Sequence, residues 1–493
     1  MSEEPAAELA HEQLGAVAAR LQARVEELVG ENSQLRAENA ELRRRLGQDS
    51  SNSSRPPSSD PPWEKKPAPK RSARGRSGRK PGKQPGAPGV SRSLVDDPQE
   101  SVELAPEQCQ RCRASLADTA EHSRTRRQIV EARPAPPPKV TEYQLVTKLC
   151  PCCGQRNTAV PAAGDDAAAQ MAAAPGSPVR VGPAALARCV LLTCAHYLPV
   201  GRATVLLETL AGLRVSVGLV GRARRRAAAR LEEKFIPHLR ALLATAPVLH
   251  ADETTGRAAA GLAYVHVACT EYLTLMHVGG RSAEDIDAGG VLPAFTGVLV
   301  RDGYAGYAHL PAVHAWCAAH LLRDLRSVAD ADPDRQLWAT AMADTLIEAH
   351  HAAAEARARG ADRLDEATLT RILSLYHGAL ARGRSDNQHT RGPLADKARA
   401  LISRFHRYED MILRFATDLT VPFTNNTAER AVRPVKVQQR TSGGCWRTLQ
   451  GLTDFATVRS YLDTAAKWGI DALHALEQLF TTGPWLPPAL TPS

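Results

Sequence analysis

Apolar residues return every seven positions near the start of the chain: Leu14, Leu21, Leu28, Leu35 and Leu42, with Ala18, Val25, Asn32, Asn39 and Leu46 between them. This leucine-zipper pattern predicts a coiled coil over residues 1–47. A single helix packed on the body is the plainer alternative. Five unbroken heptads favour the coiled coil, and asparagine at two seam positions fixes register and favours two parallel strands, hence a homodimer. The periodicity then vanishes. Residues 48–98 are rich in Ser, Pro and Gly and read as a disordered arm that cannot build a core.

Patterned text resumes at residue 99. Ser123–Ala132 and Lys139–Lys148 read as strands of a small module over 99–160, followed by an Ala/Gly-rich linker from Val160 to Ser177. Over 178–236 the period becomes helical. One helix is predicted from Pro183 to Tyr197 and a second from Val200 to Ala211; Gly212-Leu213 makes a turn, and Ser216 caps a third helix that carries Arg222 and Arg225. Helix, short glycine turn and basic helix form a helix-turn-helix-like, DNA-binding pattern, with an ordinary bundle bearing one cationic face as the alternative.

Strands follow over 245–330. One runs from Pro247 into the acids Asp252 and Glu253, two β-rich runs flank a turn at Thr270-Glu271, and an apolar strand ends in Asp302. A short strand, Val313–Cys317, leads into a helix at Ala318–Ala329. Three antiparallel strands, then parallel strands alternating with helices, make the ribonuclease H-like pattern. Residues 331–420 read as an all-α insertion, 421–467 as the second part of the core, and 468–493 as a closing helix with a Pro-rich tail. In the second part, an Asn-Asn-Thr cap opens a helix at Asn425, and Pro434 is expected to end or kink it. The fold class is therefore multidomain α+β.

The net charge of +9 and sequence pI near 9.1 are compatible with a polyanionic partner. Charge is concentrated in the arm, where Lys65, Lys66, Lys70, Arg71, Arg74, Arg76, Arg79, Lys80 and Lys83 stand with Glu64 as the one acid. Such a stretch binds phosphate in a salt-sensitive way without reading sequence. There is no apolar run of about 18 residues and no secretory signal, so a cytoplasmic, nucleoid-associated protein is expected. Without export, clustered cysteines point to metal rather than disulfides. Cys109, Cys112, Cys150 and Cys153 form two CxxC knuckles with the spacing of a structural Cys₄ zinc site, and Cys152 is a possible competitor.

Glu429 is the acid in a helix that also carries Arg430, Arg433, Lys436 and Arg440. It is either an ion-pair partner of Arg430 and Arg433 or a metal ligand beside phosphates. Phosphodiester cleavage by two Mg²⁺ or Mn²⁺ ions about 4 Å apart needs some three carboxylates. Asp252 within a strand, Asp302 at the end of a neighbour and Glu429 on a later helix suit that task, with oxygen ligands for hard cations. Arg433, Lys436 and Arg440 are then expected on phosphate. Glu253 cannot share the metal face with Asp252, because side chains alternate along a strand.

The blocks HADETTGR, GVLVRDGYAGYAHL, HAWCAAHLLRDL and NNTAERAVRPVKVQQRTSGG resemble the catalytic blocks of DDE transposases. More closely, the chain resembles the IS-sixty-six (TnpC-type) family of bacterial insertion-element transposases. NSSRPPSSD, GKQPGAPG, the paired knuckles and PVRVGP…YLPV fall in the family's order. The resemblance implies a triad of Asp252, Asp302 and Glu429, cleavage of the 3′ strand, and strand transfer into target DNA. It also implies terminal repeats as partner and a possible need for small accessory proteins. Cys317 and His320 match a C-x-x-H signature of several such families. The alternative is an inactive or repurposed DNA-binding protein of the same fold.

Overall fold

The computed structural model describes residues 20–32, 34–36, 38, 39, 42, 93–132, 137–159 and 179–489. The basic arm from Lys65 to Lys83, the linker, and Leu14, Ala18 and Leu46 of the heptad series lie outside the described residues. The chain divides into two compact units, Lys65–Pro136 and the combination of Met1–Glu64 with Pro137–Ser493.

In the unit Lys65–Pro136 the first knuckle is a tight turn. Arg113 N–H donates to Cys109 O at 2.8 Å, Cys109 N–H donates to Ala114 O at 2.9 Å, and Gln108 bridges Ser115. Ser123–Ala132, expected as a strand, is irregular; Gln128 holds the segment to Val95 through side-chain bonds in both directions, at 2.8 and 2.7 Å. These bonds to a distant backbone replace ladder pairing.

In the larger unit, the heptad residues Leu21, Leu28, Leu35 and Leu42 are helical and 62, 46, 64 and 57 % exposed. A single chain therefore leaves its apolar seam in water. Further on, β1 (Thr147–Leu149) and β2 (Arg156–Thr158) pair antiparallel around the second knuckle. Gly154 at φ +72° closes that turn, its N–H donating to Cys150 O. The hairpin thus encloses the knuckle instead of separating the two.

Helix α1 (Pro183–Val190) runs on as one π-helical turn, Leu191–Ala195, stopping short of Tyr197 at φ 57°. Helix α2 (Val200–Ala211) ends on Gly212 at φ 62°, the left-handed cap only glycine adopts cheaply. Helix α3 (Val217–Ala244) is capped by Ser216, whose Oγ accepts from Leu219 N–H, and passes through Pro237, beyond the expected region 178–236.

The central sheet holds β3 (Val248–Ala258), β4 (Gly261–Cys269), β5 (Thr274–Gly279), β6 (Val298–Arg301) and β7 (Val313–Trp316) in the order β5-β4-β3-β6-β7. The first three are antiparallel; β6 and β7 join in parallel. Strand β3 does not end at the acids. Asp252 pairs with Val267, and the ladder continues to Ala258 opposite Gly261. Ala259 and Ala260, at φ 50° and 63°, make the turn. Two backbone bonds with Trp446 hold this conformation, which non-glycine residues seldom adopt: Ala259 N–H to Trp446 O, and Trp446 N–H to Arg257 O.

Helices α4 (Ala318–Ala329), α5 (Leu337–Ala358), α6 (Glu366–Asn387) and α7 (Pro393–Arg407) follow, then two single turns at Glu409–Ile412 and Arg414–Thr417. Their own core contains Trp338, Leu346, Tyr376 and Phe405. A smaller core joins Ala349 and Ala353 of α5 to Val300 and Ala315 of the sheet. The chain closes with α8 (Asn426–Thr441), α9 (Leu449–Lys467) and α10 (Ala472–Thr481).

The largest core carries Leu231, Phe235 and Leu239 of α3 together with Val265, Leu275, Val435 and Tyr461. The helical region expected as a separate DNA-binding piece therefore shares one interior with the sheet. Helix α9 also covers the sheet edge. Ser460 Oγ and Thr464 Oγ1 accept from Met276 and Thr274 N–H, and Lys467 Nζ donates to Thr270 O and Leu273 O. An exposed edge strand would invite pairing with another chain. Among the described residues no helix is long and apolar enough to cross a membrane.

Candidate active site

Parallel pairing aligns the two aspartates. Leu249 lies opposite Leu299 and His250 opposite Val300. Two residues further along each chain stand Asp252 and Asp302, so the register brings them level. Asp302 Oδ1 accepts from Tyr304 N–H at 2.9 Å and Asp252 Oδ1 from Glu253 N–H at 2.9 Å. The third acid comes from the first turn of α8.

What draws α8 to β3 is Asn425. It is 1 % exposed and sits at the N-cap, yet its side chain makes no cap bond. Nδ2 donates to Ala251 O at 2.8 Å, and Oδ1 lies 2.9 Å from His250 Nδ1. Its N–H donates to Cys317 Sγ at 3.1 Å. The expected Asn cap is thus a bolt between helix and strand, and a buried side chain with fixed partners gains more there than an exposed cap does. Helix α8 also continues through Pro434, contrary to expectation. A proline removes one helical hydrogen bond. Burial of Ala428, Ala431, Val432 and Val435 on either side of it offsets that cost.

Burial pushes the Asp252 carboxyl well above the usual carboxylate range, reinforced by the charges of Glu253, Asp302 and Glu429. Three other acids, on β3, after β6 and on α8, therefore act on Asp252. Glu253, on the opposite face of β3, is spoken for: Arg281 donates to Oε1 from Nη2 at 2.7 Å and Nε at 3.0 Å, and Tyr307 O–H donates to Oε2 at 2.7 Å. Its carboxylate is a structural ion-pair partner, as strand alternation requires.

Glu429 is different. Its Oε1 is inaccessible and has no hydrogen-bond partner. The nitrogens facing it are not those of Arg430 and Arg433, which are exposed, but His320 Nδ1 and the cationic Arg323 Nη2 of α4, each 3.9 Å from Oε1. His320 Nδ1 is also buried without a partner. Burial and then Arg323 depress its pKa, against the pull of Asp302 and Glu429. The charge of Glu429, like that of Asp302, reaches Asp252, whereas its orphaned oxygen faces α4. Cys317, His320 and Glu429 form the donor group that is assembled among the described residues, with ligand atoms within 4.8 Å of one another.

Arg433 and Arg440 are exposed on α8. Lys436 is not available in the same way. Its Nζ donates to Thr255 O and Oγ1 on β3, and burial, with Arg440 and Arg257, lowers its pKa to about 8. On α3, Arg222 and Arg225 are exposed, Arg225 lying 3.9 Å from Asp454, whereas Arg224 lies over Trp446. At the knuckles, backbone N–H groups of Cys112 and Arg111 lower the Cys109 pKa, and those of Cys153 and Cys152 lower that of Cys150. Among the described residues no four-cysteine ligand group is assembled.

Sequence reasoning missed Asn425 as a bolt, His250, Arg281, Arg323 and Tyr307. The signal available for the first was an Asn at the start of a helix whose next residue, Asn426, could have capped in its place.

A family model described as Transposase IS66 family matches residues 178–453, and a family of unknown function matches residues 5–93. The uncharacterized protein y4qI of Sinorhizobium fredii (strain NBRC 101917 / NGR234) is 27 % identical over 208 residues, which cover 38 % of this chain and 36 % of that protein. The family match spans sheet, helical segment and α8 alike, so the chain belongs to the Transposase IS66 family.

Proposed function

We propose that this chain is the transposase of an insertion element, cleaving DNA at the element's ends and joining them to target DNA. The observation that carries this reading is the buried Asp252, on whose carboxyl the charges of Asp302 and Glu429, brought from a neighbouring strand and a helix, act together. The ribonuclease H-like order of antiparallel and parallel strands supports it. Mg²⁺ or Mn²⁺ would be held by these three carboxylates, and when bound it neutralises phosphate charge and makes water a better nucleophile. In the first reaction water attacks the scissile phosphorus, the bond to the leaving oxygen breaks, and a 3′-OH is freed. In the second, that 3′-OH loses its proton and attacks a target phosphorus, a new phosphodiester forms, and the bond from that phosphorus to the target's own 3′ oxygen breaks, so a target 3′-OH leaves.

The chain's own groups orient the reaction. Asn425 fixes the start of α8 against β3, and the Tyr304 N–H orients Asp302. Exposed Arg433 and Arg440 hold phosphate, while Lys436 braces helix to strand. Arg222, Arg225 and the arm residues Lys65 to Lys83 add salt-sensitive DNA contact. The two CxxC turns would take structural Zn²⁺, in keeping with thiols whose pKa is already lowered at Cys109 and Cys150. The exposed heptad leucines suit a parallel homodimer.

A cleavage assay on DNA bearing the element's ends tests the assignment. Mg²⁺-dependent nicking that disappears in Asp252→Asn, Asp302→Asn and Glu429→Gln is expected. Nicking that survives these substitutions would overturn the triad.

A further inference from the structure

We propose that Cys317, His320 and Glu429 form a binding site for a zinc-class divalent cation, and that filling it withdraws Glu429 from Asp252 and Asp302 and so switches cleavage off. The switch rests on the function proposed above; the binding site does not. Glu429 belongs to two donor sets of opposite character. Towards β3 and β6 its companions are carboxylates, a set for hard cations. Towards α4 they are a thiol sulfur and an imidazole nitrogen, a set for borderline and soft ones.

The second set is assembled. The three ligand atoms lie within 4.8 Å of one another, and His320 Nδ1 stands 3.9 Å from Glu429 Oε1. A tetrahedral ion with bonds of about 2.0–2.3 Å needs donors roughly 3.5 Å apart, so small side-chain rotations suffice. Both of these donor atoms are inaccessible and have no hydrogen-bond partner. A buried polar atom left unpaired is costly, and a cation would satisfy both at once.

The backbone holds the donors in place. Cys317 is the N-cap of α4 and His320 lies in its first turn, a spacing that turns both toward one side. Glu429 lies in the first turn of α8. The two helix starts are joined by Asn425 N–H to Cys317 Sγ at 3.1 Å and Ala318 N–H to Phe423 O at 3.0 Å. Burial raises the Cys317 thiol pKa, against the N–H groups of Asn425, Ala319 and His320, so the metal itself must draw off the thiol proton. On binding, the S–H bond breaks, its proton leaves to solvent, and a sulfur–metal bond forms without any change of oxidation state. Arg323, 3.9 Å from Glu429 Oε1, is the charge that the arriving cation displaces.

The test uses full-length protein with Co²⁺ as spectroscopic probe. Wild type is expected to bind one more Co²⁺ per chain than Cys317→Ser, with extra sulfur-to-cobalt charge-transfer absorption in the near ultraviolet; the CxxC knuckles contribute equally to both proteins. Serine keeps an acceptor for the Asn425 N–H, and His320→Gln, checked by circular dichroism, is a second variant. In the Mg²⁺ cleavage assay, each protein normalised to its own zinc-free rate, half-inhibition by Zn²⁺ should need at least about tenfold more ion in the variants. Identical cobalt stoichiometry and spectra in all three proteins would overturn the site. Equal zinc sensitivity with a lost cobalt band would overturn the switch. Absence of wild-type cleavage alongside a persisting cobalt difference would instead sink the transposase reading and leave the site standing.

Discussion

The two faces of β3 at residues 252 and 253 hold neighbouring acids in opposite circumstances. Glu253 has both oxygens engaged, by Arg281 and by Tyr307. Asp252 has Glu253, Asp302 and Glu429 for company, and its Oδ1 accepts only the next residue's N–H among the bonds found. One face spends its charge on the fold. The other gathers acids whose charges, with burial, raise the Asp252 pKa, the kind of perturbation on which the proposed site rests. The same contrast separates Glu429, with an orphaned oxygen, from Glu232, whose Oε1 accepts from Thr457 at 2.9 Å.

The sharpest way to break the comparison is to neutralise each acid in turn. Asp252→Asn should lower Mg²⁺-dependent cleavage about 1,000-fold, since a metal ligand is worth several kcal/mol of barrier and each 1.4 kcal/mol is tenfold. Glu253→Gln should act mainly on stability, costing about 1–2 kcal/mol in urea denaturation, because Arg281 is half-exposed and partly resolvated. Equal losses of cleavage in the two would erase the distinction.

Next comes stability against pH. The folded-state pKa of Asp252 is raised, so between the ordinary carboxylate value and the raised one the native state binds more protons than the unfolded state. Its contribution is favourable at low pH and is lost as pH rises through that window. Metal-free Asp252→Asn should therefore melt higher than wild type at neutral pH, and the excess should vanish under acid. Adding Mg²⁺ should raise the wild-type Tm and leave the variant's nearly unchanged. A variant that melts lower at neutral pH would contradict the charge crowding.

Asn425→Ala should cost about 1–3 kcal/mol, since it strands Ala251 O and His250 Nδ1 in a buried site. The smallest effects concern the cations of α8. Arg433→Ala or Arg440→Ala should each reduce the salt slope of DNA binding by about one. Lys436→Met should leave the slope alone and shift only the melting curve. A change in slope for Lys436→Met would return that residue to the phosphate contacts.

Local signals carried the parts of this protein that depend on local physics. Ser216 as a cap, Gly212 as a left-handed turn, and the alternation separating Glu253 from Asp252 were all legible, because each depends on residues within a turn or two. The helix end expected at Pro434 was misjudged for the complementary reason. The helix persists there because both sides of the proline are buried against other elements, which no window of sequence reports. The strand expected at Ser123–Ala132 failed likewise, since Gln128 is held by Val95, 33 residues away, whereas that at Lys139–Lys148 forms only at its end, in β1.

The order of residue types along the chain determined that three acids could meet, that a heptad seam needs a partner, and that cysteines come in CxxC pairs. Only the tertiary structure decided how the acids are held: by parallel register at Asp252 and Asp302, and by the Asn425 bolt at Glu429. It alone decided that α3 shares an interior with the sheet, that Lys436 is a brace, and that Glu429 faces His320 and Arg323 of α4. The physical reason is distance along the chain. Caps, turns and periodicity act over a few residues, whereas burial and charge crowding sum over elements that lie up to more than a hundred positions apart in sequence.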